Sequence, residues 1–498
     1  MLIEEEKNNE GKFMKNRNSM FAVIPLASVC FVFSPLARAV VPPPDGGYSG
    51  GNTAEGQNAL LSLNVNAGSN NTAVGWFSLK SNVEGQLNTA VGAAALFNST
   101  GDANTAIGGA ALFSNSTASH NTAVGLLALF HNTNGAYNTA IGDSALFSNV
   151  NGEFNTATGY QALFSNTGGI QNTATGVQAL FSNTNGVQNT AIGDDALRNN
   201  TEGTANTATG YGALLSNTDG VYNTANGITA LTSNTVGQEN AATGGFALRA
   251  NTSGSQNTAT GAYSLPSNMN GGHNTADGYR SLQNNISGTG NTAIGFQALY
   301  NNTTGNINIA LGSDAGANLT GTGNIAIGSP GEASVNNRTY ISRIRGMEVG
   351  NGDGITVIID SDGQLGTTNS SRRFKKEIKP MERISEVLFA LKPVTFQYKN
   401  QDNNGATPQF GLIAEDVAEV NPHLVVRDSS GEPLTVRYDA INAMLLNEFL
   451  KEHRNVAELK REIAALTATV REQAGQIEKV SRRVEMNEPT PRLVTSRP

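Results

Sequence analysis

Cysteine is nearly missing from this sequence: Cys30 is the only one in 498 residues. A lone thiol gives no disulfide framework within the chain. Histidine is also scarce. His120, His131, His273, His423 and His453 are scattered, and no His/Cys cluster has metal-ligand spacing. Neither a metal site nor a cofactor is expected. Aromatic residues are held to 6% and charged residues to 14%, whereas glycine reaches 56 residues. That balance does not suit an ordinary enzyme, and the Gly-X-Y period of collagen is missing too. Positive charge is scarcest of all. Between Asn52 and Gly328 the only basic residues are Lys80, Arg198, Arg249 and Arg280, and the whole chain carries a net charge of −8. A nucleic-acid binder would need a basic face, so that class is set aside.

Long apolar runs are equally few. The one near the N-terminus, Phe21 to Leu36, contains Pro25 and Pro35 and is too short for a membrane-spanning helix. Lys15 and Arg17 precede it, and Ala37-Arg38-Ala39 places small residues before a cut ahead of Val40. This pattern predicts an export signal over residues 1–39. The alternative is a buried apolar segment of a folded domain. Glu4 to Glu6 do not suit a basic leader, which makes Met14 an alternative start. Cys30 lies inside the segment, and Val29 before it fits a lipid-attachment cysteine poorly, so the mature chain is expected to carry no thiol. The chain reads as secreted or cell-surface, bacterial in style. Residues 40–51, "VVPPPDGGYSGG", read as a polar linker.

What the sequence has in abundance is repetition. A motif that is mostly Asn-Thr-Ala-x-Gly recurs from Asn52 to Asn324, and between Asn104 and Asn308 the step is always 17 residues. A clean unit is "NTATGVQALFSNTNGVQ", residues 172–188. Its third position is always Ala, its fifth always Gly, and its ninth is Leu from Leu60 through Leu299. The fourth wanders among Val74, Ile107, Thr158, Asn226 and Asp277. So many helix breakers per unit exclude an α-helical repeat. Two short extended pieces, "TATG" and "QALFSN", joined by tight turns, suit one rung of a parallel β-solenoid. In that arrangement Ala and Gly mark a narrow wall, Leu fills the interior, and the fourth position, with Asn226 and Asp277 in it, must at least sometimes face water. At about 4.8 Å per rung the array should be roughly 80 Å long. With about one Leu per rung, the roll is expected to borrow a core from neighbouring copies.

The later units, "NIALG" at 308 and "NIAIG" at 324, resemble the head repeats of trimeric autotransporter adhesins. That resemblance covers residues 52–328 and implies left-handed parallel β-rolls, three chains to a fibre. The unit here is longer, and no C-terminal membrane-barrel sequence follows. From 329 to 369 the period is lost; "RTYISRIRG" and "GITVIIDSDGQLGT" read as strands with Asp-Gly turns, a β neck.

Residues 370–498 have the composition of a small mixed α+β domain. "MERISEVLFAL" places Ile384, Val387, Leu388 and Leu391 on one helical face, and Pro393 stops it. "VTFQYK" reads as a strand, "QFGLIAEDVAEVNP" as strand then helix, and "HLVVRDSSGEPLTVRY" as a hairpin turning at Ser430-Gly431. Asp439 is a candidate cap for a final helix. Along it Val456, Leu459, Ile463, Leu466, Val470, Gln473, Ile477, Val480 and Val484 alternate steps of three and four, with Leu445 and Phe449 upstream. That is a heptad seam over about 440–486, and it needs a partner helix.

At the head of this domain stands "NSSRRFKKEI", with Arg372, Arg373, Lys375 and Lys376 directly behind Ser370 and Ser371. A serine hydroxyl is a weak nucleophile that needs a base, and a lysine can serve when its charged form is disfavoured. Ser370 and Lys375 are five apart, which does not put them on one helix face, so they would have to meet across a turn or across subunits. Ser371 and Lys375 do have helical spacing, and Asn369 offers a third route through its side-chain amide. "SSRRFKKEI", with "LKPVTFQYK", "QFGLIAEDV" and "VRYDAINAMLLNEFL", resembles the C-terminal intramolecular chaperone domain of endosialidase-type phage tailspikes. The resemblance covers 370 to about 460. It implies a domain that trimerises, helps the upstream β-fibre fold, and then cuts itself off before a serine. Carried over, Ser370 is the nucleophile, Lys375 the general base, and Asn369–Ser370 the scissile bond; Ser371 stands where the family usually has Asp.

Two functions follow as expectations. The first is a secreted homotrimeric fibre or adhesin, released from a self-cleaving chaperone domain, with a host-surface or glycan ligand as a possible partner. The second is a ladder-type ice- or glycan-binding protein without proteolysis, using the Thr that follows most lead asparagines. Ala241, Ile309 and Ile325 interrupt that Thr row. No basic cluster, aromatic row or acidic pair is expected to mark a ligand site.

Overall fold

The computed structural model describes residues 48–64, 66–345, 347, 355–360, 363–398 and 408–486. The expected export signal and Cys30 lie outside the described residues, as does all of the expected linker before Tyr48. The chain forms two compact units, residues 1–347 and 348–498.

The first unit is a parallel β-solenoid. Eighteen short strands, β1 (Thr53–Glu55) to β18 (Thr339–Ile341), form one sheet in which every strand pairs in parallel with the next. Register is strict: Thr156, Ala157 and Thr158 sit beside Thr173, Ala174 and Thr175. The middle Ala points inward and is wholly buried from Ala73 to Ala326, and Leu79 to Leu299 at the ninth position are equally buried. The fourth position faces out, as Ile107, Ile141 and Ile192 show at 42 to 45% exposure.

Only the first of the two expected extended pieces is a strand. "QALFSN" is a run of turns in which Gln178 (φ 55) and Leu180 (φ 52) adopt the left-handed region. The reason lies in the close stacking. The amides of Leu180 and Ser182 still donate to the next rung, at Ala196 O (3.0 Å) and Arg198 O (2.8 Å), so the turns pair like a strand. A left-handed Leu costs of order 1 kcal/mol, less than the roughly 2 kcal/mol of burying its side chain. Gly at the fifth position is required on two counts. Gly176 has φ 139, and a Cβ there would lie 2.5 Å from Gly193 O.

Two asparagine ladders complete the interior. Asn172 Nδ2 donates to Gly186 O (2.8 Å) and Asn155 Oδ1 (3.1 Å), while its own Oδ1 accepts from Asn189 N (3.0 Å). Asn183 Nδ2 likewise bonds Asn166 Oδ1 (2.8 Å) and Gly186 O (3.2 Å). Buried amides satisfied in this way carry no unpaired-polar penalty. The core is therefore closed within one chain. The expectation that the roll borrows a core from its neighbours is overturned, because Leu, Ala and both asparagines are enclosed by the rung's own turns.

An aromatic row, not expected from the sequence, runs down the tenth position. Phe97, Phe113, Phe130, Phe147, Phe164 and Phe181 stack at centroid spacings of 4.9 to 5.4 Å. Lys80 Nζ lies 4.8 Å from the ring of Phe97 at one end, and Arg198 lies 5.8 Å from that of Phe181 at the other. Two of the solenoid's few cations thus cap this stack. The strand of "RTYISRIRG", expected in the neck, is instead the last rung: Thr339–Ile341 pairs in parallel with β17 (Ile325–Ile327).

The second unit opens with an antiparallel hairpin, β19 (Val357–Ile359) and β20 (Leu365–Thr367). Another antiparallel pair joins β21 (Val394–Phe396) to β22 (Gln409–Gly411), and a third joins β23 (Val425–Arg427) to β24 (Pro433–Val436) across the turn at Gly431. "MERISEVLFAL" forms a 3-10 helix, Glu382–Ala390, not an α-helix. With three residues per turn the inward row passes through Ser385, Leu388 and Leu391. Ile384, expected inside, is 63% exposed. The terminal helix runs from Tyr438 to Met486, so Asp439 lies within its first turn and not at the cap. No helix among the described residues is long and apolar enough to cross a membrane.

Candidate functional site

The basic run follows directly on the hairpin. After β20 the chain is irregular through Asn369 and Ser370, and Ser371 (φ −62, ψ 140) leads into a single 3-10 turn, Arg372–Phe374. Phe374 N donates to Ser371 O (3.0 Å) and Lys375 N to Arg372 O (3.1 Å), closing that turn. The Ser371 side chain makes no capping bond. Lys375 itself is extended (φ −119, ψ 142).

Ser370 and Lys375 therefore flank one turn, both exposed. Among the described residues no hydrogen bond joins them, so the structure of a single chain does not assemble a dyad. Arg372, Arg373, Lys375 and Lys376 are all exposed, and none forms an ion pair among the described residues. Arg373 lies over the Phe374 ring at 4.7 Å. Phe374 is 58% exposed.

The C-terminal unit has a small core of Val417, Leu424, Val425, Val436 and Met444. Sequence reasoning missed the polar clamp beside it. Ser385, wholly buried, bonds through its hydroxyl to Glu448 and accepts from Asn447 Nδ2 (2.6 Å). Lys451 Nζ donates to Glu448 Oε1 (2.7 Å) and pairs with Glu386 (3.5 Å). Hydrogen bonds from Lys451 first, and Ser385 second, hold the Glu448 carboxyl below the usual range. This clamp ties the 3-10 segment to the terminal helix. The only sequence signal was a serine on an otherwise apolar 3-residue row. Tyr438 is a second missed contact: its hydroxyl accepts from Leu412 N (3.0 Å), fastening the helix start to the loop after β22.

Much apolar surface of this unit stays uncovered. An open groove of about 710 Å³ is lined by Leu388, Leu391, Pro393, Phe410, Ile441 and Leu445, among others. Every apolar seam residue of the terminal helix from Leu459 to Val484 is 54 to 67% exposed. The β19–β20 hairpin is exposed on both faces. A two-stranded hairpin with neither face covered is marginal in water. Residues 370–426 match the family described as chaperone of endosialidase, of the S74 peptidase type. No curated protein and no solved structure matches the chain.

Proposed function

We propose that this chain is an exported fibre protein with an adhesin-like solenoid, built as a homotrimer by its C-terminal chaperone unit, which then cuts itself off. The observation that carries the reading is the family match over 370–426, which begins at Ser370. Uncovered apolar surface on the hairpin and helix seam supports assembly. Three such helices could bury their seams against one another. The export signal over 1–39 supplies the route out of the cell.

In the proposed reaction Ser370 Oγ attacks the carbonyl carbon of Asn369 while Lys375 Nζ takes the hydroxyl proton. The Asn369–Ser370 C–N bond breaks, and its nitrogen leaves as a protonated amine. Water then hydrolyses the resulting ester, giving a fragment that ends at Asn369 and one that begins at Ser370. Both groups stand free in one chain, so association is the step that would bring them together.

Folding help is needed for a physical reason. Successive rungs are nearly identical, so a strand slipped by one unit regains most of its contacts, and parallel pairing is slow to register. Deleting residues 370–498 from the gene should therefore give insoluble solenoid, whereas losing them after folding should not.

The cleavage test is direct. Purified full chain should yield a fragment whose N-terminal sequence starts at Ser370. Ser370→Ala should abolish it by removing the nucleophile and Lys375→Ala by removing the base, while Ser371→Ala should have little effect. Persistent cutting in Ser370→Ala that stops in Asn369→Ala would hand the reaction to the asparagine. The ice- or glycan-binding reading is less well supported. The Phe ladder offers few ring faces to a sugar, since each ring is covered by the next.

A further inference from the structure

The outward face of the solenoid sheet changes character along its length. From Val74 to Ile141 its fourth-position row is apolar beside a row of Thr, and in the middle it is mostly hydroxylated: Thr156 and Thr158, Thr173 and Thr175, Thr207 and Thr209, and Thr258 and Thr260 stand in register across rungs, with Ile192 the apolar exception. At the C-terminal end it becomes apolar in two adjacent rows. Ile294, Leu311, Ile327 and Ile341 form one row, and Ile309 and Ile325 stand beside it. The first four are 38 to 44% exposed, and neighbouring Phe296 is 47% exposed. Such a patch on a flat sheet marks a contact surface.

We infer that this end of the sheet, β15 (Thr292–Ile294) to β18, is where solenoids of neighbouring copies touch, while the hydroxylated stretch before it stays open to solvent. The inference rests on the homotrimer reading and adds where the solenoids meet.

Three observations favour a second copy over another partner. First, residues nearest the axis in a ring of parallel copies meet their own equivalents, and an apolar row is compatible with itself. Second, the patch stops at Asp277, the fourth-position residue of the rung before Ile294. Like carboxylates brought together around an axis repel, so contact is disfavoured from there upward. Third, the patch lies at the end of the solenoid that leads in sequence to the uncovered hairpin and helix seam, the other surfaces of this chain in need of a partner. A contact here would also set the rung register of each copy against the next.

Single cysteines in the full chain, in a Cys30→Ser background, test this. Under mild oxidation at low protein concentration, Leu311→Cys and Ile327→Cys should give covalent dimers alongside unpaired chains, as expected when three thiols meet. Thr175→Cys should give none. Sedimentation of the same samples separates the two readings. A trimer without crosslinks at 311 and 327, or with equal crosslinking at 175, overturns the contact while leaving the trimer standing. A monomer at micromolar concentration overturns both.

Discussion

The two units of this chain solve the problem of a small core in opposite ways. In the solenoid each regular rung between Asn104 and Asn302 buries its Leu, its Ala and two asparagines within the chain, and its backbone bonds to the neighbouring rungs. Among the described residues of the C-terminal unit only five apolar side chains are buried, while a helix of 49 residues displays a full heptad seam to solvent. Periodicity explains the difference. A repeat supplies its own neighbour at every step, so partners come from the same chain. A seam on one long helix has no such neighbour, and in the proposed homotrimer other chains cover it. On the proposed assembly, stability in the first unit is intramolecular, and in the second it depends on concentration.

The sharpest way to break the solenoid side of this comparison is Gly176→Ala. Its φ of 139 and the 2.5 Å approach to Gly193 O leave a Cβ no room. A loss of about 3 kcal/mol or more is expected, read as a lower denaturation midpoint at every protein concentration. Next in size is a matched pair of leucines. Leu180→Ala should cost about 2–5 kcal/mol whatever the dilution, because the site is wholly buried in one chain. Leu466→Ala should cost a similar amount only where chains associate, and within about 0.5 kcal/mol where they do not. Equal concentration dependence for the two variants would erase the distinction.

The smallest effect concerns the Ser385 clamp. Glu448 is held below its usual range by Lys451 and Ser385. A carboxylate of this kind contributes stability above its unfolded pKa and loses it as pH falls through its folded value. Acidification below the ordinary Glu range should therefore loosen the 3-10 segment from the terminal helix. Glu448→Gln should flatten that acid limb, measured as the pH dependence of the unfolding midpoint. An unchanged limb would mean another group titrates there.

How much was legible in the sequence follows the same division. Repetition exposed the period, the narrow wall at Ala and Gly, the interior Leu and a fourth position that at least sometimes faces water, because successive rungs restate them. It did not expose the left-handed backbone at Gln178 and Leu180, since residues with strand or helix preference normally avoid it and only rung stacking holds them there. The Phe row was present in the letters at a fixed offset, yet a ladder becomes visible only once rungs are known to lie about 5 Å apart. In the C-terminal unit the terminal helix and the hairpin at Ser430-Gly431 were readable from local pattern. Ile384 was misplaced because a helical period of 3.6 was applied to a segment that winds with 3.0. The motif around Ser370 and Lys375 was readable as letters, and its geometry was not, because no hydrogen bond joins the two groups among the described residues.

The most direct measurement is amide hydrogen exchange of the full chain across a dilution series, comparing peptides from residues 172–188 with those from 456–484. The expected result is protection of the solenoid peptides that does not change on dilution, beside seam peptides that lose protection as the chains separate. Solenoid protection that falls together with the seam, or a seam that stays protected at the lowest concentration, would contradict the division between a self-contained roll and a unit completed only by other copies.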